Sequence, residues 1–176
     1  MENHNINYNI TEIEERDLWT LEDVKNYLRV SHNKDDRLIG NLIKSAVVSA
    51  EDFLGLSLFT KKITCLVDKA PSYFKIKYVP VLRITAVNII NREDRVNITE
   101  NFGWVNPVYS KILIDSRYLD KKLEITYEAG LGDRIPKNIL QGILIHVGAM
   151  YDFGENSLSI SAEVREIYTP YRKLKI

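Results

Sequence analysis

Apolar positions recur along this chain with two different periods, and the change of period divides it. Leu21, Val24, Tyr27 and Leu28 fall at helical spacing behind Thr20, which is placed to cap the first turn, while Glu22 and Asp23 sit near its positive end. A short helix over 20–30 is predicted. Leu38, Ile39, Leu42, Ile43, Ala46, Val47, Ala50, Phe53 and Leu54 then repeat at steps of three and four, between Asn33 as expected cap and Gly55 as left-handed stop. This is the clearest element, a helix over 34–54. Burying its face contributes on the order of 10 kcal/mol before chain entropy opposes it.

Beyond Gly55 the period becomes two. Ile63, Cys65 and Val67 oppose Thr64 and Leu66, and Phe74, Ile76 and Tyr78 oppose Tyr73, Lys75 and Lys77. Pro80 breaks that run. Strands are expected over 81–90, 96–99, 111–114 and 122–127, with Asn91–Asp94 as a polar turn. The spacing suits an antiparallel sheet over 61–128, a small sandwich or partial barrel, ended by Glu128-Ala129-Gly130. Helical spacing returns in Ile139, Leu140, Ile143, Leu144, Val147 and Met150, behind Pro136 and before Gly154, for a helix over 136–152. Gly142 and Gly148 within it either weaken the helix or permit close packing. The fold class is therefore α+β: a helical core of two long helices plus a short N-terminal helix, with an inserted antiparallel β-sheet region. Residues 1–17 are polar without a sustained period and read as a flexible acidic arm. Residues 18–154 read as one domain, and 155–176 as a loop and C-terminal docking arm.

Composition narrows the function. Lys plus Arg and Asp plus Glu number 24 each, a formal net charge of zero, which disfavours a strongly cationic nucleic-acid binder. One cysteine, Cys65, excludes an internal disulfide framework, and three scattered histidines at 4, 32 and 146 disfavour a His-rich metal centre. No apolar run reaches the length of a membrane span, so no membrane partner is expected. The Asn-rich opening lacks the basic start and apolar core of a secretory signal, which points to the cytosol.

Candidate chemistry is sparse, and no cofactor or metal is expected. Neither a phosphate-cradling glycine loop nor a nucleophile elbow is present. Asp35-Asp36 lies near His32, but neighbours on a helix do not face one point, so favourable charge at a helix start explains the pair better than acid/base work. Glu51 and His146 flank apolar stripes and read as surface, core or inter-subunit groups, with Tyr151 as a further inter-subunit candidate. Cys65 reads as a small buried side chain. The start of the chain is acidic and its end basic. The two ends are either solvated tails or docking segments, and Tyr168, Pro170, Tyr171, Arg172, Lys173 and Lys175 carry the docking reading, since Tyr and Arg are favoured interface anchors.

The order of pieces carries a resemblance. Val24-Lys25-Asn26-Tyr27-Leu28-Arg29-Val30 precedes a turn with Asp35-Asp36, and the long helix ends Ala50-Glu51-Asp52-Phe53-Leu54-Gly55. Ile125-Thr126-Tyr127-Glu128-Ala129-Gly130 and Ile135-Pro136-Lys137-Asn138-Ile139-Leu140-Gln141 follow, then Ala149-Met150-Tyr151 and Pro170-Tyr171-Arg172. Over residues 18–173 this resembles the head-tail connector (adaptor) family of tailed bacteriophages, found also in prophages and gene transfer agents. The resemblance implies a structural subunit without catalysis, in a virion or phage-like particle assembled in the bacterial cytoplasm. It implies a closed ring of about twelve copies beneath the portal protein, extending the DNA channel and supporting a downstream tail-completion or stopper protein. DNA would pass without sequence-specific binding. Many relatives carry Asn-Arg after the tyrosine matching Tyr151, where this chain has Asp152-Phe153-Gly154, and the acidic extension before Leu18 is outside the usual pattern. The alternative from the residues is a small nucleic-acid-binding module using the β region and the basic tail. An enzyme would instead need a pocket lined by Glu51, His146 or the Asp35-Asp36 pair.

Overall fold

The structure is a computed structural model that describes residues 5–92, 94–102, 105–106, 111–154 and 159–172. The chain forms two compact units, each assembled from two stretches: 1–15 with 59–131, and 16–58 with 132–176.

The first unit is the β region. Strands β1 (Ile6–Glu14), β2 (Thr60–Val67), β4 (Val81–Asn91), β5 (Asp94–Asn97) and β8 (Leu123–Ala129) form an antiparallel sheet in the order β1-β2-β8-β4-β5. Strands β3 (Tyr73–Lys75), β6 (Val105–Asn106) and β7 (Lys111–Leu113) form a second sheet in the order β3-β7-β6. Strict alternation fixes the register. Leu123, Ile125 and Tyr127 lie opposite Val67, Cys65 and Ile63, and all six side chains are fully buried. Two β-bulges bend β4 against β8, and at the second the Thr85 hydroxyl donates to the Thr126 carbonyl. The sheet stops at Gly130, where φ is +144° and a Cβ would run into the Phe59 carbonyl, so only glycine fits.

The expected flexible arm is corrected here. Ile6–Glu14 pairs with β2 from Ile6 opposite Val67 to Glu14 opposite Thr60. Ile6, Tyr8 and Ile10 turn inward between exposed Asn7 and Asn9. The period of two was present in the sequence, masked by polar outward residues that an edge strand tolerates.

The second unit is helical: α1 (Leu21–Leu28), α2 (Asp36–Leu54), α3 (Lys137–Phe153) and α4 (Ala162–Tyr168). Thr20 and Asp23 form a reciprocal capping box, and Arg29, in the left-handed region, ends α1 before Val30. Ile39, Ala46, Val47, Ala50 and Leu54 of α2 are buried, as are Ile139, Ile143, Val147 and Met150 of α3. The α2 stripe is narrower than expected: Leu38 stays 49% exposed, and Leu42, Ile43 and Phe53 are half-buried. No described helix is long and apolar enough to cross a membrane.

Candidate interaction sites

Of the residues expected to act as a docking arm, Tyr168, Tyr171 and Arg172 lie against their own helical unit. Ser161 caps α4 through its hydroxyl, and Val164 and Tyr168, four apart, share its buried face. Tyr168 is fully buried, with its ring against Gly142 of α3 and 6.0 Å from the Phe53 ring of α2. Its expected place on an outward arm is thereby corrected. Seven residues, about two helical turns, are too few to show a period beside the polar loop before them, so the sequence read as loop. Burial pushes the Tyr168 phenol well above the ordinary tyrosine range. Tyr171 accepts a hydrogen bond from Asn138 of α3 at 3.2 Å. The Arg172 guanidinium lies 4.9 Å over the Phe53 ring and that of Arg165 lies 6.0 Å from it, so one aromatic ring receives two cations. Pro170 is exposed. Lys173 and Lys175 lie outside the described residues.

A polar cluster joins α1, α2 and α3. Lys25 is 4% exposed, and its ammonium donates to Asn33 Oδ1 at 2.6 Å and pairs with Asp36 at 3.0 Å. Asn33 is therefore engaged by Lys25, and α2 begins at Asp36 with Asp35 in the cap position, two residues later than expected. Asp35 makes no cap bond; its carboxylate accepts from the Tyr151 hydroxyl at 2.7 Å and stands 3.8 Å from His32 Nε2. The hydrogen bond to Asp35 raises the Tyr151 pKa, because ionising the phenol would lose it and set two anions together. The Asp35-Asp36 pair thus diverges, one carboxylate to α1 and the other to α3. That is a helix-joining device rather than a shared acid/base site. The role of Lys25 was not read from the sequence, where its only signal was a lone cation on a face otherwise apolar.

Glu51 accepts from the Leu58 backbone N–H at 2.7 Å, tying the chain after α2 back onto that helix. His146 is 1% exposed and lies inside the helical unit, as the core alternative for it expects. Tyr151 is half-buried and engaged by Asp35. Arg16 reaches Asp133 and the Gly132 carbonyl, holding the two stretches of this unit together.

In the β unit, cations on the outward face meet acids. Arg83 is bidentate on Glu128 at 2.7 and 2.8 Å, Arg95 pairs with Glu124 at 3.2 Å, and Lys122 with Asp68 at 3.1 Å. The bond to Arg83 holds Glu128 below the usual carboxylate range. Cys65 is fully buried, and burial pushes its thiol up to about 12. Among the described residues no group of three His, Cys, Asp or Glu side chains is arranged to hold a metal ion.

The model of the head completion protein family matches residues 17–148. Among solved structures, a chain in the neck of an empty gene transfer agent particle, computed with C6 symmetry, shares the fold at TM-score 0.74 and 13% identity, covering 96% of each chain. A chain in the virion of the native gene transfer agent particle matches at TM-score 0.75, 13% identity and 96% of each chain. A third, in the neck of the native particle computed with C12 symmetry, gives TM-score 0.63 and 14% identity over 94% of this chain and 97% of that one. At such identities the likeness is one of fold. No curated protein matches the chain in sequence.

Proposed function

Since the chain belongs to the head completion protein family, we propose that it is a head-tail connector subunit that forms a ring beneath the portal of a phage-like particle. The ring extends the DNA channel and presents a platform to a downstream tail-completion or stopper protein. The observation that carries this reading is the family match over residues 17–148, which takes in α1, α2, the strands after β1 and most of α3. The shared fold of chains from the necks of gene transfer agent particles supports it. The physical work of such a subunit is recognition, in which one face of each copy meets a different face of the next and rotation closes the ring. The neutral net charge suits a channel that DNA crosses without being held. The reading assigns catalysis to no residue. Exposed Pro170 falls to the portal and Lys173 and Lys175 to the neighbouring subunit, while Tyr171 and Arg172 stay seated on their own unit.

The test is to add the purified chain to DNA-filled capsids that carry a portal but lack the connector. Co-sedimentation with these capsids, a ring at the portal vertex by electron microscopy, and no binding to portal-less capsids are expected. Equal binding to both kinds, or to neither, overturns the assignment.

A further inference from the structure

Strand β1 is an open edge. Among the described residues it pairs with β2 alone, so its outer side presents backbone N–H and C=O groups without ladder partners. Edge strands are commonly blunted by lysine or proline, and Ile6–Glu14 contains neither. Its last three residues are all exposed: Glu12 and Glu14 on the outward face, and between them Ile13, 41% exposed, on the other. An exposed isoleucine between two acids is a template for a strand of the opposite pattern, basic-apolar-basic. The sequence contains that pattern once past the last described residue, as Lys173-Leu174-Lys175. Two copies of β1 laid against each other would set acid against acid, which disfavours that pairing.

We propose that the Lys173–Lys175 segment of one copy adds as an antiparallel strand to the free edge of β1 in the neighbouring copy. The register follows from charge: Lys175 opposite Glu12, Leu174 opposite Ile13 and Lys173 opposite Glu14. This pairing covers the exposed isoleucine, supplies ladder partners to the edge and neutralises two acids with two lysines. It rests on the reading that copies meet in a ring. Three paired residues are marginal alone, so the strand strengthens and orients a contact that other surfaces of the copies also make.

Disulfide trapping tests it. Full-length Ile13→Cys and full-length Leu174→Cys are mixed and mildly oxidised, with buried Cys65 left in place. A disulfide between the two chains is expected at ten times or more the level given by Leu174→Cys with Val48→Cys, an exposed control on α2. Trapping falls as salt rises from about 0.05 to about 0.5 M. Adding Glu12→Lys and Glu14→Lys to the first chain abolishes it, and Lys173→Glu with Lys175→Glu in the second restores it. No preference over the control overturns the proposal. So does trapping that charge reversal leaves unchanged, a bond formed within one chain when both cysteines share it, or trapping only with portal present. A chain that binds portal-bearing capsids yet does not trap sinks the strand pairing alone. One that traps but ignores those capsids sinks the connector reading alone.

Discussion

Tyr168 and Gly142 show how much one contact determines. A Cβ at position 142 would collide with the Tyr168 ring, whereas at Gly148 it would lie at an ordinary 3.5 Å from Tyr27. The two glycines share a helix and differ only in what faces them. Gly142→Ala is expected to cost about 1–3 kcal/mol through overpacking. Gly148→Ala is expected to gain about 0.5–1 kcal/mol from helix propensity. Urea unfolding of both variants checks the opposite signs. The sequence offered weak propensity or close packing as alternatives for both, and only the position of α4 separates them. The Tyr168 hydroxyl is buried without a hydrogen-bond partner among the described residues. Tyr168→Phe is therefore expected to be neutral or to stabilise by about 1 kcal/mol at neutral pH. The folded-state pKa of Tyr168 is raised above the ordinary 10.0, so its contribution is intact below that value and is lost as pH climbs past it. Tyr8 and Tyr127, also raised by burial, share this alkaline loss. Denaturation at neutral and alkaline pH should give a shallower decline for the phenylalanine variant, and an identical decline would refute the assignment.

Among the elements, the long ones were legible and the short polar ones were not. The apolar periods of α2, α3, β2 and β8 run long enough to identify the elements and their inward faces. Where they failed, a polar group was decided by its partner: Asn33 is taken by Lys25 instead of capping α2, and Asp35 by Tyr151. Strand β1 is the larger correction. Its alternation of Ile6, Tyr8 and Ile10 with Asn7 and Asn9 looks like a polar tail until β2 is there to pair with it. The measurement that separates strand from tail is hydrogen exchange. Amides of Ile6–Ile10 that point toward β2 should be protected far beyond those of a free peptide, and exchange at the free-peptide rate would restore the arm.

For the whole chain, the α+β class and the connector family were both readable from the order of segments, and the family match bears them out. The interface residues were less readable, because the same Tyr-Pro-Tyr-Arg chemistry that marks a docking surface also serves to close a chain's own core. Tyr168 and Tyr171 went inward, onto Gly142 and Asn138.

The sheet order also sets a timetable. Strand β8, the middle member of β1-β2-β8-β4-β5, is the last of the five to be synthesised. Until it leaves the ribosome, the β1–β2 pair on one side and the β4–β5 hairpin on the other wait with their inner margins bare. The helical unit waits as well, since α3 follows β8. Folding therefore depends on contacts remote in sequence, which close slowly. A nascent chain stalled before Leu123 would hold two unfinished ribbons prone to pairing with strangers.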